Sequence, residues 1–203
     1  MSATAAPDAS DRSDFRTVTL GGVKIGLITA AAVVAFLLVS RHVPGLAGRM
    51  LEMLVVLGAG LAVTFLPGKW TAARTGEGIA GAAAMGLVGT ITFMTIDIVA
   101  LRPLRAYPWT WDAIGGNSTW WYLPIWWMLG TFLAWMGALV MARESARGEA
   151  NLVRLATPTL IGTVLVVAVA RLAGLSLALP VGAGGAFTIT LAGQAVVALA
   201  RKP

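Results

Sequence analysis

The chain has no cysteine, a single histidine and only nine acidic side chains among its 203 residues. The lack of cysteine excludes disulfides, thiolate metal sites, iron–sulfur clusters and a cysteine nucleophile. One histidine, His42, excludes a bis-histidine haem within the chain and leaves almost no means of building a zinc site. No metal, haem or other cofactor is expected. Charge is equally scarce: 12% of residues are charged, 58% are hydrophobic, and the mean hydropathy is +0.82. So little polar surface cannot cover a soluble globule of this size, which makes the chain an integral membrane protein.

Catalytic signatures are also missing. The sequence holds no His-Glu-x-x-His zinc helix, no Gly-x-Gly-Asp pair, no Gly-x-Ser-x-Gly elbow with a histidine partner, no P-loop and no dinucleotide fingerprint. The net charge of +6 comes from basic residues set singly between apolar runs. They build no basic face, so no nucleic-acid partner is expected, and they read as topology signals and headgroup contacts.

What the sequence does have is long apolar runs. A span needs roughly 20 mostly apolar residues, and six stretches come close: Val23 to Ser40, Met50 to Leu66, Gly78 to Leu101, Trp120 to Ala142, Leu155 to Ala170 or beyond, and Ala186 to Ala200. Pro67-Gly68-Lys69 closes the second run. Arg171 interrupts the fifth, and a Pro180 to Gly185 turn precedes the sixth, which is short and leaves a re-entrant segment as the alternative. In the third, Gly78, Ala82, Gly86 and Thr90 recur every fourth position as a close-packing stripe. The expected fold is an all-α polytopic bundle of about six transmembrane helices. It forms one domain over residues 20–203, preceded by a flexible cytoplasmic tail at 1–19.

Placing the N-terminus in the cytoplasm puts ten of the fifteen basic residues inside and five outside. That bias favours both termini inside, and the cysteine-free, Ala/Gly/Arg-rich composition suggests a bacterial inner membrane. Seven of the eight tryptophans then fall between Tyr107 and Trp135, around the outer loop. Amphipathic rings settle where hydrocarbon meets headgroups. Trp109 and Trp111 belong to such a belt or to a ligand pocket or protein contact built on it.

The expensive polar groups complete the reading. Asp97, about a turn before the outer end of the third helix, and Glu52, within a turn of the outer end of the second, share the outer side with Arg102, Arg105 and Asp112. Charged groups in a bundle usually face one another or a water-filled cavity. An outward-facing polar pocket is therefore expected, in which Asp97 or Glu52 carries a proton or a cation. The plainer alternative pairs each with a nearby arginine. Three functions follow as expectations: a non-catalytic subunit or assembly partner of a larger membrane complex, a small secondary transporter or channel-like carrier, or a membrane enzyme acting on a lipid or lipid-linked sugar. The expected partners are the bilayer and a membrane protein or second copy of the chain.

Overall fold

In the computed structural model, which describes residues 11–104, 106, 122–145 and 151–200, Asp14 starts the first helix. Its carboxylate accepts from the Thr17 N–H at 3.0 Å and from the Thr17 hydroxyl at 2.6 Å, which satisfies a first-turn amide that has no partner within the helix. Helix α1 thus runs Phe15–His42, beginning well before the apolar run and inside the stretch expected to be a tail. Residues 11–14 are held as well. The Arg12 N–H donates to the Thr71 carbonyl at 2.7 Å, and the Asp11 carboxylate accepts from the amides of Arg74, Thr75 and Gly78 and from the Thr75 hydroxyl.

Helix α2 runs Gly45–Trp70, α3 Gly76–Ile96 with a π-helical turn over Asp97–Leu101, α4 Tyr122–Ser145, α5 Leu152–Leu172 and α6 Leu179–Ala200. Among the described residues, six helices are long and apolar enough to cross a membrane. They form an all-α bundle in which consecutive helices alternate in direction. One end of the bundle holds the residue 11–14 segment and the α2–α3 connection. It is called the terminal end below, and the opposite end the distal end.

Several boundaries differ from the sequence reading for identifiable reasons. Pro67 does not stop α2; it is buried in the last full turn, and the helix ends at Thr71, where the Ala73 N–H reaches back to the Gly68 carbonyl at 2.9 Å. Arg171 does not interrupt α5 either. The stop is Gly174, whose φ of +84° is open to glycine without steric cost, and the Leu175 N–H closes the end onto the Ala170 carbonyl at 2.9 Å. Arg171 stays in the last turn and donates to the Leu177 carbonyl at 2.7 Å. The Pro180 to Gly185 stretch is helical, not a turn, so α6 has 22 residues and is long and apolar enough for a full span. A proline in the first turn lacks only an N–H that would have no helical partner.

Helix α3 packs between α1 and α4 and is the most buried of the six. The Gly78, Ala82, Gly86, Thr90 stripe is buried throughout; Gly78 lies against Asp11 and Ala73, and the other three face α4, where a Cβ on Gly86 would sit 2.6 Å from both the Ala134 Cβ and the Gly130 carbonyl oxygen. A second stripe, Met85 and Gly89, meets Gly21, Gly22 and Ile25 of α1. Small residues on both sides let three backbones approach closely, which is how helices associate where lipid tails are as apolar as the side chains. Most helix threonines return their hydroxyl hydrogen to the carbonyl four residues back, as Thr92 and Thr163 do at 2.9 and 2.7 Å. That satisfies the group inside hydrocarbon.

Candidate functional site

The distal end of α3 departs from α-helical geometry. The Arg102 N–H donates to the Asp97 carbonyl at 2.9 Å, and the Ala106 N–H to Leu101 at 2.9 Å, both five residues apart. In an α-helix, positions 97 and 102 would point about 140° apart at 3.6 residues per turn. The π turn brings them together, and Arg102 Nε lies 3.0 Å from Asp97 Oδ2. Asp97 is fully buried and Arg102 is 29% exposed, so the buried carboxylate faces a guanidinium whose far side stays exposed. Arg41, in the last turn of α1, donates to the Ala106 carbonyl at 2.5 Å. It ties α1 to the chain leaving the π turn. Such turns often mark functional positions in helices.

Below this charged layer lies a chamber of about 790 Å³, walled by α1, α2, α3, α4 and α6. Its size falls in the range of small-molecule sites, roughly 300–1,000 Å³. Phe36, Val56, Phe93, Trp126 and Phe187 represent its lining, and no charged side chain contributes to it. The threonine hydroxyls that reach it, Thr29, Thr90 and Thr188, donate to their own helix carbonyls at 2.9, 3.0 and 3.0 Å. The chamber therefore offers a ligand apolar surface and little else. Trp126 makes an edge-on contact with Phe93, centroids 6.0 Å apart at 61°, and joins the cluster of Ala30, Phe93, Met94 and Leu101. This packing carries the chamber wall up to the π turn.

Val181, Gly185 and Ile189 follow one another every fourth position along one face of α6. All three line the chamber and all three are exposed, so the chamber opens sideways along this face. Helix spacing also relates it to the acidic residues. Glu52 lies three and four residues before the chamber-lining Val55 and Val56, and Asp97 four residues after Phe93, which puts each on a chamber-facing side one turn nearer the distal end.

The expected polar pocket is not found among the described residues. Glu52 lies two turns into α2, about 10 Å from its start at 1.5 Å per residue, because the helix begins at Gly45 rather than Met50. It is partly buried and forms no ion pair or hydrogen bond with Asp97. Arg102 is paired with Asp97, which is the plainer of the two expectations for that residue. Arg105, Trp109, Trp111 and Asp112 lie outside the described residues, as does the Trp-rich segment at 107–121. Of the adjacent pair Trp126 and Trp127, the first faces the chamber and the second is 40% exposed, as neighbours on a helix must diverge.

Sequence reasoning missed the chamber. Its lining residues are ordinary apolar side chains scattered over five helices, and the only hint was the glycine content of α6. Compared with known proteins, the chain matches no family model, no curated protein and no solved structure.

Proposed function

We propose that this protein is a non-catalytic integral membrane protein that takes one lipid-like apolar chain from the bilayer into the five-helix chamber, with the chain's polar end at the Asp97–Arg102 layer. The observation that carries the reading is the chamber itself: large, free of charged lining, and open sideways along Val181, Gly185 and Ile189. An apolar cavity of this size left empty forfeits dispersion contacts on all its walls, and the solvent beside it supplies acyl chains. The reading keeps the protein among membrane subunits and assembly partners and specifies what it would hold. A bacterial inner membrane with both termini cytoplasmic belongs to the same proposal, supported by the ten-to-five distribution of basic residues.

The transporter reading is less well supported, because a coupling carboxylate needs a hydrated cavity and the chamber has no ionisable lining. The lipid-enzyme reading needs an acid and a base within reach of one another, and Glu52 and Asp97 are not joined.

The test is a mild-detergent purification followed by solvent extraction and mass spectrometry of bound apolar molecules, for the wild type and for Gly185→Leu. A Cβ at Gly185 meets no atom within 4 Å, so leucine enters the chamber without distorting the helix. The expected result is a molecule retained at fixed stoichiometry by the wild type and lost from the variant. Equal recovery from both, in the proportions of the bulk membrane, would refute the proposal. Proteins that co-elute through a salt wash would identify the complex.

A further inference from the structure

A second cavity, of about 550 Å³, lies at the terminal end of the bundle, between α4, α5 and α6. Its character is opposite to that of the chamber. Arg143, from the last turn of α4, and Arg154, from the first turn of α5, stand at its mouth, and Val140, Leu155, Pro158 and Val197 form apolar walls below them. Among the described lining residues the two arginines share one carboxylate, that of Glu144. Glu144 reaches Arg154 only at 3.8 Å, and Arg143 has no carboxylate partner among the described residues. Two neutral groups also line the cavity. Gln194 lines the cavity with its side-chain amide 2.8 Å from the Thr159 hydroxyl. Thr190 also lines the cavity, and its buried hydroxyl has no hydrogen-bond partner among the described residues. Buried hydroxyls are rarely left unmatched.

We infer that this cavity binds the phosphate headgroup of an anionic phospholipid, with the first part of an acyl chain against its apolar wall. The chemistry matches at each level. Guanidinium forks bind phosphate oxygens in parallel pairs of hydrogen bonds, the Gln194 amide adds a neutral donor, and the apolar floor requires a ligand with a tail. Basic cavities between transmembrane helices on the side of the positive loops suit such headgroups. The inference does not depend on the chamber, since the two cavities have different walls and lie toward opposite ends of the bundle.

The experiment uses the full chain in nanodiscs of phosphatidylcholine doped with phosphatidylglycerol, transferred to mild detergent, with retained lipids counted by mass spectrometry. The wild type should retain phosphatidylglycerol in preference to phosphatidylcholine. Arg143→Gln and Arg154→Gln should each reduce that preference by about fivefold, the contribution of one arginine at an anionic surface. Gly193→Leu should abolish it with both arginines in place, because a Cβ at Gly193 meets nothing within 4 Å and leucine there fills the cavity. Arg16→Gln, an exposed charge near the same end, should change nothing. The inference is overturned if Gly193→Leu keeps the preference, if Arg16→Gln weakens it as much as Arg143→Gln, or if no preference exists. Displacement of the lipid by inorganic phosphate would mark a free-anion site and overturn the assignment to a lipid.

Discussion

Changing Arg102 to methionine keeps most of the apolar stem and removes the guanidinium 3.0 Å from Asp97. Removing one partner of a buried ion pair costs about 3–5 kcal/mol, because the other charge is left without compensation in a poor solvent. Arg102 is 29% exposed, so part of its attraction is already screened, and a loss of about 2–3 kcal/mol is the better expectation. Asp97→Asn removes the charge that requires the arginine and retains a hydrogen-bonding oxygen, so it should cost about 1 kcal/mol. The double variant should then be less unstable than the sum of the two, with a coupling of about 1–3 kcal/mol. Unfolding in mixed micelles by titration with a denaturing detergent measures all four proteins. Tryptophan fluorescence follows the transition as the sum of eight rings, of which Trp126 packs in the cluster that includes Leu101 of the π turn. Single losses that add in the double variant within about 0.5 kcal/mol would refute the argument that this pair holds the π turn. So would an Arg102→Met protein as stable as the wild type.

Two further outcomes are expected. Gly86→Ala should destabilise by about 1–3 kcal/mol, the usual result of overpacking, because its methyl would lie 2.6 Å from the Ala134 Cβ and the Gly130 oxygen. Gly58→Ala, where a Cβ meets nothing, should be neutral or stabilising, and equal stabilities in the same assay would show that the α3–α4 seam is not close-packed. At Asp11, burial pushes the carboxyl pKa up, but the Thr75 hydroxyl and the amides of Thr75, Gly78 and Arg74 outweigh it and hold the value below the ordinary 3.8. A carboxyl lowered on folding stabilises fully above its unfolded value, and that contribution fades as pH falls through 3.8 toward the folded value. Docking of residues 11–14 should therefore hold at neutral pH and loosen only in acid. Hydrogen exchange at the Gly78 amide reads the change, and Asp11→Asn separates it from Asp14, which Thr17 also holds low. Loosening well above the carboxylate range would contradict the assignment.

Much of the fold was legible because the bilayer imposes simple rules. A run of apolar residues long enough to span can satisfy its backbone only as a helix, so six runs implied six helices. The Gly78, Ala82, Gly86, Thr90 stripe implied a close contact before its partner was known. Helix ends were less legible, because they depend on caps made with distant residues. Asp11 reaches Thr75 and Gly78 across more than sixty positions, and nothing near Asp11 in the chain announces that bond. The Pro180 to Gly185 stretch misled for a related reason: its glycines favour a turn in isolation, and the packing of α6 against α2, α4 and α5 makes them helical.

The candidate site divides along the same line. Composition and hydropathy alone determined that the solvent is lipid, that the architecture is all-helical, and that Asp97 is the charged residue most in need of a partner, since each follows from how side chains partition between water and hydrocarbon. Only the tertiary structure decided that Asp97 meets Arg102, because that depends on a five-residue hydrogen bond replacing a four-residue one over a single turn. It alone showed the chamber and the basic cavity, since a cavity is a property of how five or three helices pack, and no single helix carries its outline.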